Sequence, residues 1–257
     1  MKNEFIRKMQ QGKNCIGTFS HISSEIAIEG LAYAEMDFVI IDGEHGTVGP
    51  ETAQKLVRAA NLHGMTPFVR TRDSGRGAVL SMLEAGAQGL VVPQINTVEE
   101  VRALVENVRY YPEGSRGVFL GSNGGYGFAD FAEKGLQSYF DVCNRETLIF
   151  PQCETKGCLE NIEEIAMIPG VDGIFIGPYD LSVALGMPGQ FGAEEFAAAT
   201  ERIKRAVKDE GKLLITYTTK TEDVKRYFAE GFDAVALNVD VALMISLVRD
   251  VVRKARG

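Results

Sequence analysis

Short apolar runs rich in β-branched residues alternate with longer stretches whose apolar positions recur at helical spacing. The first run, NCIGTFS (14–20), precedes SSEIAIEGLAYAE (23–35), which has a serine at its start. DFVIIDGEH (37–45) precedes a helix from Pro50 to a terminating Gly64. TPFVRTR (66–72) leads into a helix around GAVLSMLEAGA, and GLVVPQI (89–95) into TVEEVRALVENVRYYP, where Thr97 and Glu100 form a capping-box pattern. The glycine-rich stretch RGVFLGSNGGYGFAD (116–130) has no period and reads as a long loop, followed by a polar helix over 128–146. Alternation resumes with TLIFPQCE (147–154), GCLENIEEIAMIPG and VDGIFIGPYD (171–180). A helix near 193–210, LLITYTT (213–219), TEDVKRYFAEG, DAVALNVD (233–240) and a last helix from Val241 complete the chain.

Eight strands alternating with eight helices predict an α/β fold of the (β/α)8 barrel class. The continuously apolar strands suit a parallel sheet covered on its outer face. The alternative, a doubly wound open sheet, predicts a glycine-rich nucleotide fingerprint after the first strand, and HISSEIA contains none. No linker divides residues 1–257, so a single barrel domain is expected.

Composition narrows the partners. Lys and Arg total 27 against 35 Asp and Glu, a formal charge of −8, which argues against nucleic acid or an anionic membrane as the main partner. The start MKNEFIRKMQQGKNC lacks the apolar core of a secretory signal, and no apolar run approaches the roughly 18 residues of a membrane span. Cys15, Cys143, Cys153 and Cys158 form no CxxC pair. A reduced, cytoplasmic protein with buried thiols is the expectation.

In such barrels chemistry collects where strands end and βα loops begin. The predicted strand ends carry Asp42-Gly-Glu44-His45, Arg70 and Arg72, Gln94, Gln152 and Glu154, and Asp180. Glu154 and Asp180 end neighbouring strands, about 4.8 Å apart in a parallel sheet, and so fit a shared hard divalent cation. Mg²⁺ or Mn²⁺ is favoured, with Co²⁺ as a further candidate. The competing reading is two rim carboxylates paired with Arg70 or capping helices. In GPYDLS (177–182) a Gly-Pro turn opens a helix whose free N–H groups suit a substrate carboxylate. Beside Asp42 and Glu44, His45 suits a general base, and His21 is a weaker second candidate. Arg70 suits stabilisation of a developing oxyanion.

DFVIIDGEHG, PFVRTRD, EAGAQGLVVPQINTVEEV, PQCETKGCLENI and VDGIFIGPYDLS together resemble the metal-dependent pyruvate aldolases of the HpcH/HpaI family, over about residues 4–250. The resemblance implies a barrel of the phosphoenolpyruvate/pyruvate-binding type, assembled as a hexamer of three dimers that exchange their last helix. It implies Glu154 and Asp180 as metal ligands, Arg70 at the pyruvate oxo group and Gln152 at metal-bound water or substrate. Gly177, Pro178, Tyr179 and Asp180 would form the carboxylate seat, and His45 would be the acid/base with Asp42 behind it. The implied reaction is cleavage of a 2-oxo-4-hydroxy acid to pyruvate and an aldehyde through a metal-stabilised enolate, without a Schiff-base lysine. Glu84 stands where the family commonly has Asp, at a position linked to the His–Asp pair and often acting across a subunit contact. The absence of a basic residue between Arg116 and Lys134, in a loop that helps select the aldehyde, favours a neutral or hydroxylated aldehyde. Two alternatives remain: a citrate lyase β-subunit type of enzyme acting on a CoA thioester, for which no basic cluster is visible, and a silent barrel that only binds 2-oxo acids.

Overall fold

Eight parallel strands pair in chain order and close between the last and the first in the computed structural model, which describes residues 1–257. They are β1 (Cys15–Ser20), β2 (Phe38–Asp42), β3 (Thr66–Arg70), β4 (Gly89–Val92), β5 (Leu148–Cys153), β6 (Gly173–Ile176), β7 (Leu213–Thr218) and β8 (Ala234–Val239). The expected (β/α)8 barrel is the observed fold. The helices are α1 (Glu4–Gln10), α2 (Glu25–Tyr33), α3 (Pro50–Leu62), α4 (Arg76–Glu84), α5 (Val98–Val108), α6 (Asp130–Glu133) and α7 (Leu136–Glu146). After β5 come α8 (Lys156–Glu160), α9 (Ile162–Met167), α10 (Pro178–Ala184), α11 (Glu194–Asp209), α12 (Thr221–Ala229) and α13 (Asp240–Arg256).

Side chains alternate across each strand, so two cores form. Val39, Ile41, Val69, Leu90 and Ile174 face outward into the layer beneath the helices. Phe19, Phe38, Ile40, Phe68, Phe150, Phe175 and Ile215 face inward and fill the barrel. Continuing the inward parity by two residues reaches His21, Asp42, Arg70, Gln152, Gly177 and Tyr217. The same alternation that fills the interior with phenylalanine therefore brings polar groups together above it.

The sequence pattern did not anticipate α1, which plugs the opposite end of the barrel. Asn3 caps it by accepting from Ile6 N–H. Fully buried Phe5 meets Phe38 and Phe68 at ring-centroid distances of 5.5 and 5.1 Å. Buried Glu146 fixes the plug by accepting from Asn3 N–H and from Arg7, each at 2.9 Å.

Three other expectations change. The polar helix expected over 128–146 is split into α6 and α7, because Gly135 between them takes positive φ, and the loop expected over 116–130 holds a 3-10 turn at Ser122–Gly127. Strand six ends at Ile176, not at Asp180, because Pro178 starts α10. Strand two ends at Asp42, which leaves Glu44 and His45 on the following loop. The capping box of Thr97 and Glu100 and the α3 boundaries at Pro50 and Gly64 match expectation.

Candidate active site

Asp42 is the hub of the barrel mouth. It is opposite Arg70 in the β2–β3 register, and both side chains point inward. Arg70 Nε and Nη2 donate to its two oxygens at 2.9 and 2.6 Å, a bidentate pair. His21 Nε2 lies 2.8 Å from Asp42 Oδ2, and the backbone N–H groups of Glu44 and His45 donate to Oδ1. Burial pushes this carboxyl up, but the Arg70 hydrogen bonds outweigh it and hold Asp42 below the ordinary carboxylate range. Arg70 Nη1 is 3.1 Å from Glu44 Oε2, short of hydrogen-bond geometry, so that buried oxygen has no hydrogen-bond partner. Burial pushes Glu44 up despite the opposing Arg70 charge.

The other wall comes from β5 and the turn into α10. Gln152 and Glu154 are each only 2% exposed. Gln94, a non-glycine residue at φ +56°, donates its backbone N–H and its side-chain amide to Glu154 Oε1 at 2.8 and 3.1 Å. Such a backbone conformation is costly, and here it aims two donors at one carboxylate. Gln152 Nε2 donates to Glu154 Oε2, leaving Gln152 Oε1 buried without a partner. Burial, aided by the nearby Asp180 charge and opposed by the Gln94 N–H, pushes Glu154 up to about 7. A Cβ on Gly177 would lie 2.6 Å from Glu154 Oε2 and 2.8 Å from Gln152 Nε2, so only glycine leaves this cradle intact.

A buried carboxylate, an orphaned amide oxygen and the exposed carboxylate of Asp180 are hard oxygen donors, as Mg²⁺ or Mn²⁺ requires. The residues present fit a divalent cation. At the start of α10, Leu181 N–H bonds Gly177 O, and the N–H groups of Tyr179 and Asp180 precede the first helical bond.

These walls enclose a cavity of about 340 Å³ lined by His21, His45, Arg70, Gln152, Tyr179 and Asp180 together with Phe19, Phe175 and Tyr217. Hollows of about 370 and 410 Å³ lie at Asn61–Met65 and between α11 and α12, away from the acid/base groups.

Several expected placements need correction. Asp42 does not stand behind the His45 ring: its oxygens are occupied by Arg70 and His21, while the His45 side chain is 61% exposed and its nearest acid is Glu44, at 3.8 Å. The strand ends at Asp42, so His45 leaves on the loop and only its backbone returns to that carboxylate. Gly177 N–H is not free for substrate, because it donates to Cys153 O at 3.2 Å as β6 ends. Pro178 has no N–H to offer. Glu84 ends α4 and pairs with Arg116 at 2.9 Å, beside Gly121, and does not line its own chain's mouth. Asp180 lies in the first turn of α10 rather than on a strand.

Sequence reasoning missed Tyr217 and the roles of Gln94 and Asp240. Inward parity two residues beyond Ile215 would have found Tyr217. Asp240 accepts from Ser20 Oγ and from the N–H groups of His21 and Ile22 at 2.8 to 3.0 Å, which fixes the loop carrying His21 to the start of α13. No local signal marks a contact between residues 220 positions apart.

The family described as HpcH/HpaI aldolase/citrate lyase matches residues 15–246. A 2-keto-3-deoxy-L-rhamnonate aldolase from Klebsiella pneumoniae is 32% identical over 247 residues, covering 95% of this chain and 89% of the relative. A hydroxypyruvate/pyruvate aldolase from Roseobacter denitrificans is 30% identical over 252 residues, covering 98% and 96%. The crystal structure of an HpcH/HpaI aldolase/citrate lyase family protein from Burkholderia cenocepacia superposes with a TM-score of 0.90 at 25% identity, each chain covered completely. From Cys15 to Ser246, and so through every strand and the whole mouth, this chain belongs to the HpcH/HpaI aldolase/citrate lyase family.

Proposed function

We propose that this chain is a carbon–carbon lyase that cleaves a 2-oxo-4-hydroxy acid to pyruvate and an aldehyde, and runs the reverse condensation. The observation that carries the reading is the opposition of two built walls across one mouth. One is the Asp42–Arg70 clamp; the other is the buried Glu154–Gln152 pair with an amide oxygen free.

Glu154 and Asp180 would hold a divalent cation, Mg²⁺ or Mn²⁺ by donor type and Co²⁺ as a further candidate, with Gln152 Oε1 beside them. When bound, such an ion supplies Lewis acidity that lowers the cost of placing negative charge next to a 2-oxo group. The N–H groups of Tyr179 and Asp180 receive the substrate carboxylate. Arg70 is fixed by Asp42 before substrate arrives, and its remaining N–H groups face the 2-oxo oxygen on which charge develops. In cleavage, His45 accepts the C4 hydroxyl proton, the C3–C4 bond breaks and the aldehyde leaves; a proton returned to C3 gives pyruvate. Its exposed ring on the loop after β2 reaches the open side of the mouth. Glu84 joins this relay from a neighbouring copy, consistent with its distance from its own chain's mouth.

We further propose a homo-oligomer, a hexamer of three dimers, in which α13 is exchanged between copies. Along α13 only Asp240 is buried, while Met244, Leu247, Val248 and Val251 are each at least half exposed. An apolar stripe of this kind needs a partner surface. No helix of the chain is long and apolar enough to cross a membrane. A cytoplasmic location is supported by four buried cysteines, none in a disulfide.

Pyruvate release from a 2-oxo-4-hydroxy acid should require Mg²⁺, Mn²⁺ or Co²⁺ and stop with EDTA. Exchange of pyruvate methyl protons in D₂O should depend on His45. Full activity in a metal-free preparation, or parental exchange in His45→Ala, would defeat the proposal.

A further inference from the structure

We propose that the mouth selects an uncharged, apolar or aromatic substituent on the 2-oxo acid beyond C3 and rejects a second carboxylate. This rests on the aldolase reading and names its substrate class. The side of the mouth formed by β1, β6, β7, β8 and α10 is an aromatic wall. Phe19 packs edge-on against Phe175 at 6.0 Å and against Tyr217 at 5.7 Å, and Tyr217 lies 6.0 Å from Tyr179, with Val239 and Pro178 filling the margins. Neither phenol hydroxyl has a protein hydrogen-bond partner, Tyr179 is 46% exposed, and both rings line the cavity where a ligand would lie. Planar apolar groups pack on such faces with a gain beyond the area they bury.

The charges point the same way. Arg70 is the only Lys or Arg lining the mouth; it is clamped by Asp42, lies 3.1 Å from Glu44 and 4.7 Å over the Phe19 ring, and keeps its remaining N–H groups for the 2-oxo oxygen. Arg72, the next basic residue along the chain, lines a different hollow beside Gly43 and Val48. Asp42, Glu44, Glu154 and Asp180 set four carboxylates against that one guanidinium. A second anionic group would enter a carboxylate-rich, partly desolvated site with no further lysine or arginine to meet it.

Two 2-oxo acids of similar reach, both lacking the C4 hydroxyl and so uncleavable, separate the possibilities. Titration calorimetry of the full chain with Mn²⁺ should show 2-oxo-4-phenylbutanoate binding at least tenfold tighter than 2-oxoadipate. Tyr217→Phe should keep that preference, and Tyr217→Ala should reduce it below threefold. Equal or tighter binding of 2-oxoadipate by the parent protein overturns the inference. So does a preference unchanged in a folded Tyr217→Ala. Methyl-proton exchange of pyruvate, run in parallel, tests the aldolase reading separately. Absent exchange with the phenyl preference intact removes that reading and upholds the recognition.

Discussion

Replacing Gly177 with alanine adds one methyl group at the most crowded point of the mouth. The backbone there has φ −89° and ψ 89°, with φ negative, so the substitution introduces no positive-φ strain and acts through collision. The new Cβ would sit 2.6 Å from Glu154 Oε2, 2.8 Å from Gln152 Nε2 and 3.0 Å from Glu154 Cβ, against an ordinary contact of at least 3.4 Å. Relief requires the carboxylate to retreat by about 0.8 Å, the difference between those contact distances. The far oxygen is held by Gln94 at 2.8 and 3.1 Å, so retreat breaks or compresses those bonds. Overpacking of this size costs about 1–3 kcal/mol, well within what a folded barrel tolerates. A misplacement approaching 1 Å at a reacting centre costs about 100-fold in rate. The expected result is a folded protein whose Mn²⁺ affinity, followed by paramagnetic relaxation of water, falls about 10- to 100-fold, with methyl-proton exchange falling at least as far. Parental Mn²⁺ affinity in a Gly177→Ala protein of normal circular dichroism would show that Glu154 and its cradle do not hold the ion.

Two further predictions concern the plug at the opposite end. Phe5→Ala removes a fully buried ring from among Phe38, Phe68 and Phe150 and should lower unfolding free energy by about 3–5 kcal/mol in a urea titration; a loss below about 1 kcal/mol would mean that α1 is not part of the core. Burial pushes Glu146 up, but bonds from Arg7, Asn3 N–H and Arg145 outweigh it, so its folded pKa lies below the ordinary value of 4.5. A depressed carboxylate contributes stability above its unfolded pKa and loses it as pH falls through the folded value. Thermal unfolding of Glu146→Gln should therefore lose less between pH 7 and pH 3 than that of the parent; parallel profiles would refute the linkage.

The alternation of apolar runs made the barrel legible because most strands are largely apolar and the longer helices amphipathic, a pattern that follows from burial on both faces of the sheet. The mouth was partly legible, since Asp42, Arg70, Gln152 and Glu154 stand at the ends of such runs. What escaped depends on direction. That Asp42 serves Arg70 and His21 rather than the His45 ring follows from where β2 stops, and strand ends are the least certain part of a pattern. The plug helix escaped because seven residues with one buried aromatic carry too short a period to register. Gln94 escaped because its role lies in a backbone angle, which its side-chain type does not announce.

The Asp240 staple has a kinetic consequence. It joins the loop after β1 to the start of α13, and β1 pairs with β8 only when the chain's two halves have come around to meet. Contacts across some 220 residues are the slowest for a chain to find, because loop closure must precede any reward. The bonds from the His21 and Ile22 N–H groups to Asp240, which fix the loop carrying His21, form only when that seam is shut. Recovery of full turnover during refolding should then trail the return of helical signal, making catalysis a clock for barrel closure rather than for secondary-structure formation.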